Sequence, residues 1–177
     1  RQDEMGGSFS KNEIKKDSLA REECHAKERE EPILVCSKTP EGITSLGVAQ
    51  LPIVMTPCHL MRALRGGRGW GHGVPVELIA NLPKYLNEPL AVYQSASNKD
   101  RIMVILDGKD STGSPVVAVI SMNTEIDRPC DKHLLKAGDP VNFILSVYGR
   151  RKAWAEARAA RSTGSLLFCK SMSPAAA

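Results

Sequence analysis

The chain predicts an α+β domain: N-terminal helices packed on an antiparallel sheet of about four strands, then a C-terminal helix. Three observations lead there. Before Pro89 the apolar residues recur mainly at helical spacing, and after it they form short strand-like runs. Those runs are joined by polar or glycine turns, and short connections make neighbouring strands antiparallel. From Arg151 to Arg161 an alanine-rich stretch with Trp154 returns to the helical period. Helices, then a meander, then a helix is not the order of a doubly wound sheet.

The elements follow in order. Residues 11–31 are dominated by charge and cannot bury a face, so residues 1–31 read as a charged linker making few core contacts. The domain then spans 32–177. Ile33-Leu34-Val35 is a short strand. Thr39-Pro40 reads as cap and first helical residue of a short helix stopped by Gly47. Pro52-Ile53-Val54-Met55 is extended, and Thr56-Pro57 opens a helix through Leu64. A glycine-rich loop, Gly66 to Gly73, holds Trp70 and His72, but lacks the Gly-Lys-Ser/Thr ending of a phosphate-binding P-loop. Pro75 to Ala80 predicts a helix with Val76, Ile79 and Leu82 on one face, broken or kinked at Pro83. Strands follow at Leu90–Tyr93, Ile102–Leu106, Pro115–Met122 and Val141–Val147, with a final short candidate at Leu166–Phe168. Val92, Ile105, Val117, Val119 and Leu145 are expected to be buried toward the helices between 57 and 82.

Composition sets the bounds. The chain has 177 residues, 42% hydrophobic, enough for one domain with a core. A net charge of +4 is compatible with an RNA partner and is also common among ordinary domains. No apolar run approaches the roughly 18 residues of a membrane helix, so no membrane partner is expected. No signal peptide opens the chain, and residue 1 is Arg, so a fragment or processed C-terminal piece of a larger protein is expected. Five cysteines without a Cys-x-x-Cys pair predict reduced thiols. Cys58-His59 and Cys130-x-x-His133 fit no common zinc module, so no metal and no cofactor are expected.

Two places carry candidate chemistry. His72, flanked by Gly71 and Gly73, can exchange a proton near neutral pH; spacing alone favours a solvent-facing loop histidine or one that hydrogen-bonds a helix end. Ser146, Tyr148 and Arg150 lie two apart at a strand end, and strict alternation places them on one face with Asn142 and Ile144. Hydroxyls and a guanidinium fork suit a phosphate, and an exposed amphipathic strand has the same pattern.

The run from Leu51 to Lys170, about two thirds of the chain, resembles the C-terminal domain of phage MuF-type head proteins. The resemblance rests on Pro52-Ile53-Val54-Met55-Thr56, Gly71-His72-Gly73-Val74 and the stretch Ile79 to Pro89 with its Leu-Pro-x-x-Leu-x-x-Pro pattern. It continues through Ala91-Val92-Tyr93-Gln94-Ser95, Val141-Asn142 and Ser146-Val147-Tyr148-Gly149-Arg150. That group is associated with the barnase–EndoU–colicin–RelE-like RNase fold. The resemblance implies a metal-independent endoribonuclease toxin domain delivered on a larger phage or polymorphic-toxin protein. Its catalytic residues would be His72, Ser146, Tyr148 and Arg150, with Arg62, Arg65, Arg68 and Arg151 as RNA contacts. Many members carry a lysine where Gly71 stands; an arginine such as Arg65 or Arg68 would have to replace it.

The implied reaction is attack of a ribose 2′-OH on the adjacent phosphate, with His72 as base or acid, Arg150 stabilising the phosphorane, and Ser146 and Tyr148 positioning it. An immunity or antitoxin protein would be a second partner. The site of action would be the cytoplasm of a target cell, or the virion before delivery. The alternatives are a non-catalytic phage structural or interaction module on the same fold, and an RNA-binding domain.

Overall fold

A computed structural model describes residues 31–65, 73–130 and 134–170. The charged segment up to residue 30 lies outside them, as do His72, Arg68, Trp70 and His133.

The elements run β1 (Ile33–Cys36), α1 (Glu41–Thr44), β2 (Ile53–Met55), α2 (Pro57–Arg65), α3 (Val76–Ala80), α4 (Leu82–Asn87), β3 (Ala91–Gln94), β4 (Arg101–Lys109), β5 (Pro115–Glu125), β6 (Pro140–Gly149), α5 (Ala153–Ser162) and β7 (Leu166–Cys169). Proline starts helices as expected. Pro57 is the first residue of α2, and the Thr56 hydroxyl accepts a bond from the His59 amide at 3.3 Å. Pro83 sits in the first turn of α4, so it begins a second helix rather than only ending the one before. Thr39 is not a helix cap. Its hydroxyl donates to the Leu51 carbonyl and accepts from Asn142, which ties the β1–β2 connection to β6.

The sheet has seven strands in the order β1-β2-β6-β5-β4-β3-β7, not about four. The meander β3 to β6 is antiparallel throughout; short turns link β3 to β4 and β4 to β5, whereas β5 and β6 pair across the long connection of residues 126–139. The additional strands are short: β1 and β2 extend the sheet beyond β6, and β7 extends it beyond β3. β2 runs parallel to β6. A strand therefore precedes every helix: α1 lies between β1 and β2, and α2, α3 and α4 occupy the long crossover between β2 and β3. Three- and four-residue apolar runs carry no readable alternation, so only pairing with a longer strand makes them part of the sheet.

The sheet is covered on both faces. On one, α1, α3 and α4 bury Ile43, Leu78, Leu82 and Leu86 against Val92, Val104, Ile120 and Ile144. On the other, α5 lays Ala153, Ala157 and Ala160 on Ala91, Met103, Ile105 and Val117. A third cluster joins Val54 and Val141 to Ile126 and Cys130 of the β5–β6 connection. Of the five residues expected to face the N-terminal helices, only Val92 does. Ile105, Val117 and Val119 are buried under α5, and Leu145 is half-buried there. β4 and β5 are apolar on both faces, which is what a two-sided sheet requires and what alternation alone does not resolve. In α3, Leu78 turns inward and Ile79 packs partly on the core, while Val76, expected on the buried face, is 70% exposed.

Candidate functional site

β6 carries a bulge. Ser146 pairs with Val119 and Ile144 with Ile120, which leaves Leu145 as the extra residue. The bulge breaks the simple alternation. Ser146 and Tyr148 lie opposite Val119 and Val117 on the α5 face, whereas Ile144 and Val147 join the core on the other face. Asn142 is not part of the Ser146–Tyr148 row. It is buried, donates to the Thr39 hydroxyl at 2.8 Å and to the Ala49 carbonyl at 2.9 Å, and accepts from the Asn123 amide at 3.1 Å.

The row ends in a network across β6, α5 and β3. The Arg150 amide donates to the Pro115 carbonyl at 2.7 Å, which anchors the backbone. Arg150 Nε donates to the Glu156 carboxylate at 2.9 Å, its Nη2 lies 2.6 Å from Glu156 Oε1, and its Nη1 donates to the Tyr148 hydroxyl at 2.9 Å. On its other side Glu156 accepts from the Tyr93 hydroxyl at 3.0 Å. Four side chains from three elements thus share one carboxylate and one guanidinium. The Glu156 hydrogen bond holds the Arg150 guanidinium still more firmly protonated than usual. Burial opposes ionisation of Glu156, but the hydrogen bonds from Arg150 and Tyr93 outweigh it and hold the carboxyl below its ordinary range. Burial first, and the neighbouring Glu156 second, push the Tyr93 phenol up, so it stays a donor.

The sign of the Glu156 shift gives a pH prediction. A carboxylate lowered in the folded state stabilises fully above its unfolded pKa of about 4.3 and loses that stabilisation as pH falls through the folded value. Wild type should therefore exceed Glu156→Gln in stability at pH 7, with the gap closing below about pH 4. The side chains of the pair are 38% and 32% exposed, so the gap should be modest and shrink with salt. Chemical denaturation at pH 7 and pH 3 tests this; a gap that widens in acid would contradict it.

Beside this network a cleft of about 590 Å³ opens along the C-terminal half of α5. Arg150 and Glu156 line it, together with the end of β3, the turn after it, and Thr163 and Ser165 beyond α5. Its rim is rich in hydroxyls because the β3–β4 turn is Ser95-Ala96-Ser97 and the α5–β7 connection is Thr163-Gly164-Ser165.

The expected site residues separate as follows. Ser146, Tyr148 and Arg150 lie on the α5 face. Exposed Arg151 follows Arg150 directly. α2, which carries half-buried Arg62 and exposed Arg65, packs through Leu60 and Ala63 on the opposite face. His72 and Arg68 lie outside the described residues. The described residue after His72 is Gly73, whose carbonyl accepts from the Ser111 amide at 3.2 Å. Ser111 belongs to the β4–β5 turn, whose Asp110 packs against Gly149. Gly73 is therefore held at the sheet end where β6 finishes, while Val74 enters the core on the face away from Arg150. Sequence reading missed Glu156 and Tyr93. Glu156 had a signal: from Arg150 to Ser165 it is the single carboxylate among Arg150, Arg151, Lys152, Arg158 and Arg161. Tyr93 had none, because its link to Glu156 spans 63 residues.

Cys58 is disulfide-bonded, against the expectation of reduced thiols; Cys36, Cys130 and Cys169 are thiols. Burial pushes the Cys36 thiol up to about 11, which makes it a poor nucleophile at neutral pH. Cys130 donates to the Pro32 carbonyl at 3.0 Å. Among the described residues no group of three His, Cys, Asp or Glu side chains converges as a metal site, and no helix is long and apolar enough to cross a membrane.

Fold and site together define a small α+β domain with a two-sided sheet, a basic C-terminal helix and a polar network beneath it. Residues 65–172, more than half of the chain, match the phage MuF C-terminal domain, and the chain belongs to that family. No curated protein and no solved structure matches it.

Proposed function

We propose that this phage domain is a metal-independent endoribonuclease of the toxin type. The observation that carries the reading is the Tyr93–Glu156–Arg150–Tyr148 network at the edge of an open cleft, on a helix whose flanks are strongly basic. The 2′-oxygen bonds to phosphorus, the bond from phosphorus to the 5′-oxygen breaks, and a 2′,3′-cyclic phosphate and a 5′-hydroxyl result. Arg150 supplies charge and N–H donors to the phosphorane, and Tyr148 and Ser146 position it. Glu156 is a positioning residue: its lowered pKa makes it a weak base, and its hydrogen bonds aim the guanidinium. Both proton transfers, from the 2′-hydroxyl and to the departing 5′-oxygen, are assigned to His72. On this reading the domain travels on a larger phage or polymorphic-toxin protein, acts in the target cell's cytoplasm, and meets an immunity protein in its producer.

A second reading has one observation of its own. Arg150 already bonds both Glu156 and Tyr148, as in a clamp that simply fastens α5 to β6. That arrangement suits a non-catalytic module of the phage particle. Incubating the purified chain with total RNA in EDTA separates the two. Cleavage ending in cyclic phosphates is expected, undiminished by the chelator. Intact RNA with a well-folded protein would favour the structural module.

A further inference from the structure

We infer that the cleft along the C-terminal half of α5 is a nucleotide subsite, taking one residue of an unpaired RNA strand with its phosphate on Arg150 and its base between α5 and the β3–β4 turn. This rests on the RNA-directed reading above and adds where the strand is held. The volume, about 590 Å³, falls within the roughly 300–1,000 Å³ of small-molecule sites.

The lining suits a planar, polar-edged ring. Met103, Ala159 and Ala160 supply apolar surface, and the alanines leave room that larger side chains would fill. Tyr93 does not stack there freely, because it is buried and its hydroxyl is held by Glu156. Recognition therefore falls to the ring's edge. Among the rim hydroxyls Ser95 pairs with Ser97 at 3.2 Å, and Thr163 donates to the Ala160 carbonyl at 3.1 Å with Ser165 3.3 Å away. The Ser95, Ser97 and Ser165 contacts are long and cheap to exchange for a base edge or a ribose hydroxyl. A duplex cannot use such a site, since its bases are stacked and paired; a single strand can turn one base outward.

The phosphate has a place as well. A guanidinium has five N–H donors, and among the described residues three are engaged by Glu156 and Tyr148. Two remain for an anion, so Arg150 binds a phosphate without releasing Glu156. Arg151, Lys152, Arg158 and Arg161, all exposed along α5 and its approach, add the long-range attraction that a polyanion follows.

The test is titration of the isotope-labelled full chain with nucleoside 3′-monophosphates, read as amide shifts, with inorganic phosphate and an unphosphorylated nucleoside as controls. Saturable shifts in residues 94–97 and 159–165 are expected, at least tenfold tighter for nucleotide than for phosphate. Ala159→Trp fills the cleft from an exposed position and should weaken binding at least tenfold; Ser97→Phe, on the exposed turn, does the same should the first variant fold poorly. Equal affinity for phosphate and nucleotide, shifts elsewhere, or indifference to both variants would overturn the subsite. Nucleotide binding in the cleft without RNA cleavage would support the subsite and sink the nuclease reading. Cleavage without binding in the cleft would do the reverse.

Discussion

Arg150→Ala is expected to cut RNA cleavage by about 2–4 kcal/mol of transition-state stabilisation, the loss typical of one anion-stabilising donor. The argument is geometric. Arg150 bridges β6 to α5, with Tyr148 on one arm of the fork and Glu156 on the other. Alanine removes the charge at the cleft and leaves Glu156 with only the Tyr93 hydroxyl from this network. Arg150→Lys should recover little, since a point charge cannot hold both partners and a phosphate in the same plane. Stability separates this role from a fastening one. The pair is about a third exposed, so its loss should cost no more than about 1 kcal/mol. kcat/KM on an oligoribonucleotide and the melting temperature should be measured together. A variant that melts far lower yet cleaves normally, per folded molecule, would show that Arg150 only fastens α5.

Gly149→Ala should destabilise the domain by about 2–4 kcal/mol, combining overpacking with lost turn bonds. A Cβ at Gly149 would lie 1.9 Å from Asp110 Oδ2 and 2.4 Å from its Cγ. Asp110 cannot simply swing away. Its Oδ1 accepts from the Thr112 amide at 2.9 Å, the Thr112 hydroxyl at 2.7 Å and the Ser114 amide at 2.9 Å. A methyl group would break the turn that also holds Gly73. The melting temperature should fall by roughly 5–15 °C, at about 2–4 °C per kcal/mol for a chain of this size. Asp110→Gly removes the turn bonds together with all three atoms nearest to the new Cβ, and adding Gly149→Ala to it should cost little more, because the clash is gone. Fully additive losses would show that the glycine is needed for another reason.

The glycine of Ser-Val-Tyr-Gly-Arg thus has a steric cause that no single segment contains: it meets a carboxylate from a turn 39 residues earlier in the chain. The same holds for the rest of the site. Ser146, Tyr148 and Arg150 stood out because polar residues two apart end an apolar strand. Their companions did not, because Tyr93 and Glu156 reach them only when β3, β6 and α5 are layered.

By itself the sequence determined what is local. Proline placed the start of α2 and the break before α4, short turns made β3, β4 and β5 antiparallel neighbours, and the alanine-rich stretch marked α5 as a helix. These follow from backbone sterics, loop length and residue period, all decided within a few neighbours. Only the tertiary structure decided the rest. It recruited β1, β2 and β7 to the sheet edges, put α5 on the face opposite α3 and α4, and let the bulge at Leu145 turn Ser146 and Tyr148 toward Glu156. An extra residue in a ladder exists only relative to the partner strand, and a short apolar run becomes a strand only when another supplies its hydrogen bonds.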